Sequence, residues 1–354
     1  MATAKPSNAA SAPRILLMTA RHFPTIQEAV WKVKKARFQT AQDDSIALLG
    51  QTKAQVPAGP AVAVMNTLSW QRGGLVTLSA EASKAGDRVV DEAGVAVPSQ
   101  RLSTGELAFL ASGIPALGSK AYRVQAGAAA APTTPCVLNG NSVTNGALTV
   151  ALDPANGNIK SLLCAGSGHE FVNGAQDGGL NAFRQLPGDG KPANPDTGIQ
   201  ISVKENGPLV VEWQVDSAAP GGKSVARAVR LVAGQPWLEC ANVVDKLKVT
   251  HKEGIHFGFA FDVPDPKIHA DIPWGVMRVD ADQMPAGNRN WIAFQRWLDV
   301  SGEKEGVTWA SLDAPTFEVG AMTANIIGSG IGSPQWIRKL APSSTIYSWA
   351  LNNH

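Results

Sequence analysis

The stretch "GIQISVKENGPLVVEWQVDS" limits what this chain can fold into more than any other. Ile199, Ile201 and Val203 alternate with polar residues, Asn206-Gly207 follows, and Leu209, Val211, Trp213 and Val215 alternate back. A period of two puts every second side chain on one face of a strand, and Asn-Gly accepts the positive φ angles of a tight turn. The segment therefore predicts an antiparallel hairpin, with Trp213 and Val211 facing a core and Glu212 and Gln214 facing away. The same device recurs. "GALTVALDPANGNIKSLL" puts Leu148, Val150 and Leu152 on one face and turns through Asn156-Gly157, and "SVARAVRLVAGQPWLECANVVDK" makes another hairpin.

Upstream, "AVAVMNTLSWQRGGLVTLSA" alternates at Val62 and Val64, is expected to turn at Gly73-Gly74, and resumes at Val76 and Leu78. "RVVDEAGVAVPSQ" reads as a hairpin about Glu92 to Gly94, and "ELAFLASGIPALGSKAYRV" adds two or more short strands. The Ala/Pro/Thr stretch "QAGAAAAPTTP" is the best linker, and a domain boundary is expected there. Near the end, "LDAPTFEVG" reads as a buried strand entering a loop. One helix stands apart, in "TIQEAVWKVKKARFQTAQDDSIALLG": Thr25 and Glu28 form a capping box and Gly50 is suited to end it. Ile26, Val30 and Val33 share a face while Phe38, Ala41 and Leu48 drift off it, which predicts packing against more than one neighbour.

Acids and bases nearly balance along the 354 residues, giving a net charge of +2, so no basic footprint for nucleic acid or an anionic membrane is present. No stretch approaches the roughly 20 apolar residues of a membrane span, and the N-terminus lacks a secretory core. A soluble protein, with the cytoplasm favoured, is expected. Cys136, Cys164 and Cys240 are far apart and form no C-x-x-C pair, which excludes a zinc knuckle and favours buried thiols.

Signatures of nucleotide, serine-hydrolase or zinc-protease chemistry are missing. "GSGIGS" at 328 to 333 is Gly-rich, but without a following helix it reads as a loop. His251, Glu253 and His256 are close in sequence, yet strand parity separates His256 from the other two unless a bulge intervenes, so a polar strand around a turn is the simpler reading. His269 lies in the Pro-rich "PDPKIHADIPWG", read as a rim loop. Asp262, Asp265, Asp271, Asp280 and Asp282 cluster, but Asp beside Pro is ordinary turn chemistry and not by itself an acid/base pair. Trp274, Trp291, Trp297, Trp309, Trp336 and Trp349 would serve either as sugar-stacking platforms or, more commonly, as core between sheets.

Several blocks in order carry a resemblance: "NTLSWQRGGLVTL", "VPSQRLSTGELAFLASGIPALGSKAYRV", "ENGPLVVEWQVDSAAPGGKSVARAVRLVAGQPWLECANVVDK", "KEGIHFGFAFDVP", "DQMPAGNRNWIAFQRWLDVS", "GVTWASLDAPTFEVG" and "YSWALNNH". From about Ala61 onward they resemble the C-terminal β region of family 38 glycoside hydrolases, the α-mannosidases. The resemblance implies a mainly β fold: a small β-sandwich at 58–126, then a large galactose-mutarotase-like β-supersandwich at 135–354, with one N-terminal helix at 23–51 left from a helical bundle and a disordered tail at 1–22. In the family, the zinc ligands and the Asp nucleophile lie in an N-terminal barrel and the start of the bundle. No catalytic or metal residue is therefore carried over, and zinc is expected only in a barrel outside this chain. An α-mannoside would be met through that barrel, in cis or in trans. Asn352, Asn353 and His354 are the candidate cleft-facing residues, and because "YSWALNNH" stops inside a family block, the large sandwich is expected to be truncated there. A free-standing carbohydrate-binding or scaffold protein is the rival reading. A mutarotase-like epimerase using a His and a carboxylate is a weaker third.

Overall fold

The computed structural model describes residues 23–53, 61–188, 197–323 and 336–353. Two units are resolved, residues 1–63 and 64–354. The first contains the helix Phe23–Lys53. It begins before Thr25, with Pro24 in its first turn, where the missing N–H costs no hydrogen bond. It also runs through Gly50 for three further residues instead of ending there, since glycine near a helix end costs only about 1 kcal/mol. Val30, Val33, Phe38 and Leu48 on it are exposed.

The second unit is β throughout. Arg88–Asp91, Ala96–Val97 and Ser119–Gln125 share a four-stranded sheet with the strand Ala61–Met65, and Arg72–Leu78, Leu107–Ile114 and Ser99–Arg101 form a three-stranded one. Val89, Tyr122 and Val124 from the first meet Leu107, Phe109, Ala111 and Ile114 from the second in a small sandwich core. The hairpin about Glu92 to Gly94 forms as expected, with Asp91 N–H donating to Val95. Gly73-Gly74 is not a turn. Both glycines lie inside Arg72–Leu78, at a bulge where a side chain on Gly73 would come 2.6 Å from the Ala111 carbonyl oxygen. Close backbone approach, not chain reversal, explains the pair.

The larger region stacks three sheets on one core. A nine-stranded sheet runs in the order Ile292–Ala293, Thr316–Val319, Thr345–Asn353, Glu253–Ala260, Leu180–Pro187, Ile159–Cys164, Leu148–Leu152, Ser142–Thr144, Val137–Asn139. A four-stranded sheet holds Thr197–Asn206, Val210–Ala218, Gly222–Val232 and Leu238–Lys246; another holds Gly275–Arg278, Lys267–Ile272, Trp297–Ser301 and Gly306–Ala310. Val150, Phe183, Ile255 and Phe317 from the first, Val211, Trp213 and Val229 from the second, and Ala270, Leu298 and Val300 from the third bury together. The Leu148, Val150, Leu152 face is buried as the alternation requires, and Gly157 turns the chain at φ +70°.

Along Val210–Val215 every residue is buried, because this strand is central and covered on both faces. Trp213 sits in the core at 1% exposure, while Glu212, turned to the other face, is bonded to Arg230 at 2.6 Å. Val203 keeps the face of Ile201 and pairs with Trp213, but on this edge strand it stays exposed. The bulge just after it reverses the parity, so Glu205 pairs with Glu212 and is buried, accepting hydrogen bonds from Ser103 N–H and Oγ.

Candidate functional site

The register of four adjacent strands gathers one polar face on the nine-stranded sheet. His256 pairs with Arg184 on one side and with Trp349 on the other; Tyr347 pairs with Gly258 and with Glu318. The intervening row, Phe183, Phe257, Ser348 and Phe317, points the opposite way, and its three phenylalanines enter the core. His256 and Glu318 meet through Nε2 and Oε1 at 2.7 Å, both fully buried. Glu318 also accepts from Thr323 N–H at 2.5 Å. The His256 ring lies parallel to Trp349 at 5.8 Å, and Trp291 stands across Trp349 at 6.0 Å. Arg184 donates from Nε to Asp177 Oδ1 at 3.1 Å. Burial pushes the Tyr347 hydroxyl above the ordinary phenol range.

The His–carboxylate pair that strand parity could not supply is therefore His256 with Glu318, 62 positions away. Only the pairing of Thr316–Val319 with Thr345–Asn353, next to Glu253–Ala260, brings it about. Neither side chain presents surface to solvent, so the pair locks strands together and offers nothing for a sugar to approach.

The candidates His251, Glu253 and His256 do not converge. A bulge does fall between Ile255 and His256. Yet Glu253, 1% exposed, is held by Lys246 and by Gln185 Nε2 at 2.6 Å, and His251, largely exposed, stays 3.9 Å from it. Among the described residues, no group of three or more His, Cys, Asp or Glu side chains could hold a metal ion. These residues do not fit the family's zinc.

Asn352 is exposed opposite Gly254, and Asn353 donates from Nδ2 to the His251 carbonyl at 2.7 Å and the Val249 carbonyl at 3.2 Å, so it clamps the turn before Glu253. His354 and "GSGIGS" lie outside the described residues.

The aspartates are dispersed among different partners: Asp280 to Arg289 at 3.1 Å, Asp282 to Arg278 at 2.7 Å, Asp262 through its carbonyl to His169 at 2.7 Å. Hydrogen bonds from Arg278 hold the Asp282 carboxyl below the usual carboxylate range. His269 is in the strand Lys267–Ile272, not a loop; Pro264, Pro266 and Pro273 bracket that strand without entering it. The tryptophans divide. Trp309 packs between Phe259 and Phe294 and Trp349 is buried, whereas Trp274 is fully exposed and Trp297 half-buried. Among the described residues, no helix is long and apolar enough to cross a membrane.

An alpha-mannosidase from Enterococcus faecalis V583 is similar at TM-score 0.57 and 15% identity, over 82% of this chain and 42% of that one. A glycosyl hydrolase family 38 protein from Enterococcus faecalis gives TM-score 0.57 and 14% identity, over 82% and 40%. The present chain thus spans about two fifths of either, and at such identity the likeness shows the fold. No curated protein matches. The family model for the glycosyl hydrolases family 38 C-terminal domain, however, matches residues 143–319, half of the 354 residues, through the paired sheets just described. On that match, the chain belongs to glycosyl hydrolase family 38 and carries its C-terminal domain.

Proposed function

We propose that this chain is the non-catalytic C-terminal β region of an α-mannosidase-like glycoside hydrolase, which braces a catalytic barrel and walls its cleft and is inactive alone. The family match over residues 143–319 carries the reading. The donor set supports it: Glu253 is committed to Lys246 and Gln185, and His256 to Glu318, so the polar side chains are arranged for rigidity and not for gripping a metal or a sugar. In this reading the zinc belongs to the barrel, supplied in cis or in trans, and an α-mannoside is met there. Asn352 and Asn353, at the open end of the strand Thr345–Asn353, would face the cleft together with His354. The helix Phe23–Lys53, with Val30, Val33 and Phe38 exposed, would be the bundle element that joins the β region to the barrel, with a small sandwich at 58–126 and a large one from 135 onward.

The test is an aryl α-mannoside hydrolysis assay with metal analysis on the purified chain, then on the chain mixed with a family barrel. The expected result is neither turnover nor stoichiometric zinc for the chain alone, and turnover with the barrel. One tightly bound zinc per chain together with hydrolysis by the chain alone would overturn the reading.

A further inference from the structure

Trp274 stands where a tryptophan is hardest to explain. The hairpin between Lys267–Ile272 and Gly275–Arg278 closes through Ile272-Pro273-Trp274-Gly275, with Ile272 paired to Gly275. Pro273 takes the second turn position and Trp274 the third, where its φ is +66°. That is the pattern of a type II turn, whose third position ordinarily belongs to glycine because a side chain there is strained. Trp274 is also fully exposed at 105%, so the strain is not offset by burial. A conformational outlier that contributes no packing points to use at the surface.

Val276, just past the turn, lines a hollow of about 410 Å³ together with His269, Trp297, Asp299 and Thr308. The register builds it: His269 pairs with Arg278 and Asp299, and Asp299 with Thr308, in one cross-strand row. The alternate residues Ala270, Leu298 and Val300 point inward and are buried, which fixes the row on the outer face. Ser301 Oγ donates to Asp299 Oδ2 at 2.5 Å, and His269 Nδ1 lies 3.7 Å from the same oxygen. Both side chains remain about one-third exposed, 33% for His269 and 30% for Asp299. Arg278, beside His269, is already engaged by Asp282 at 2.7 Å and 3.0 Å.

We propose that this outer face binds a neutral glycan, with Trp274 and Trp297 stacking on the apolar faces of hexopyranose rings and Asp299, His269 and Thr308 hydrogen-bonding ring hydroxyls. A pyranose presents an apolar C–H face and a girdle of hydroxyls, which matches aromatic plates beside a carboxylate, an imidazole and a hydroxyl. An anionic ligand would meet Asp299, and Arg278, the cation paired with His269 across the strand, is occupied by Asp282. A purely apolar ligand would strip water from Asp299 and His269 without replacing its hydrogen bonds. The hollow is shallow and open, which suits a sugar laid on its face rather than one enclosed in a cleft. Only the kind of sugar, an α-mannoside, rests on the function proposed above.

Affinity electrophoresis of the full chain in gels containing yeast α-mannan, a β-glucan or no polysaccharide tests this. Retardation in at least one polysaccharide is expected, weakened at least tenfold by Trp274→Gly and by Asp299→Asn and unchanged by Trp237→Ala at another exposed tryptophan. Because glycine relieves the turn, Trp274→Gly should melt no lower than the parent, which separates lost binding from lost folding. Retardation in mannan supports the glycan face and its sugar. Retardation only in the β-glucan supports the face and overturns the mannoside assignment, independently of the hydrolysis assay. No retardation in either gel, or retardation that both variants leave intact, overturns the inference.

Discussion

Replacing Arg227 with Met tests how the nine-stranded sheet is joined to the sheet that holds Gly222–Val232. Arg227 lies at the middle of Gly222–Val232, 1% exposed, and its guanidinium reaches across to the turn and strand of the nine-stranded sheet. Nη1 donates to Asn158 Oδ1 at 2.6 Å and to the Asn181 carbonyl at 3.0 Å, and Nη2 to the Asn156 carbonyl at 2.7 Å. Met fills much of the same space, so little cavity results. The three acceptors, however, stay where they are, and Asn158 and Asn181 are themselves 5% and 2% exposed. Each orphaned buried acceptor costs about 1 to 3 kcal/mol, so Asn158 and Asn181 together cost about 2 to 6 kcal/mol. Removing the buried cation's own desolvation penalty returns part of that, so the net loss should be about 2 to 4 kcal/mol. Arg227→Lys should fall between the two, because a single ammonium cannot span the acceptors that the fork reaches. Urea unfolding followed by tryptophan fluorescence measures both. A loss below about 0.5 kcal/mol for Arg227→Met, or any gain, would mean that the acceptors find other donors and that hydrophobic packing alone joins the sheets.

Outcomes at three further residues are expected. Trp213→Ala should destabilise by about 3 to 5 kcal/mol in the same unfolding assay, since the side chain is wholly within the inter-sheet core. Burial pushes the Cys136 thiol up to about 11, so it should resist an aromatic disulfide at pH 8 until urea unfolds the chain. Its contribution to stability is fully present below the unfolded thiol's pKa and is lost between that value and about 11, because the unfolded chain gives up the proton first; Cys136→Ala should flatten this part of a stability-against-pH curve. Glu318→Gln should cost about 1 to 3 kcal/mol by calorimetry, because an amide cannot accept from both His256 and the Thr323 N–H as the carboxylate does.

Much of the β architecture was legible because its signals are local. Alternation places the hairpins about Asn156-Gly157 and Asn206-Gly207 correctly, but only Gly157 turns at a positive φ. Asn206 stays in its strand, and the second hairpin reverses over Gly207 to Leu209 without one, while the buried run before Gly320 is the strand Thr316–Val319. Where the reading fails, a contact distant in sequence overrides the local pattern. Gly73 is explained by Ala111, and the reversal just after Val203 buries Glu205 against Ser103, 102 positions away. The strand holding His269 was hidden for a different reason: prolines flank it so closely that it reads as loop, although none occupies a ladder position inside it.

The polar face illustrates the limit most clearly. Sequence reasoning could propose His256 as an acid/base group and look for partners within a few residues, at His251 and Glu253. Its partner, Glu318, is set by strand order, and strand order depends on which hairpins stack and not on any motif. The consequence bears on function. A His–carboxylate pair in a sugar-associated fold invites a catalytic reading, but full burial makes this one a structural tie between Glu253–Ala260 and Thr316–Val319, across the strand Thr345–Asn353 that lies between them. That strand ends at Asn352 and Asn353, so the tie fixes the position of the residues proposed to face the cleft. Chemistry-bearing side chains in this region are thus sorted by exposure: those that are paired and buried hold the frame, and those left on the outer face, Trp274, Trp297 and Asp299 among them, are the ones a glycan can reach.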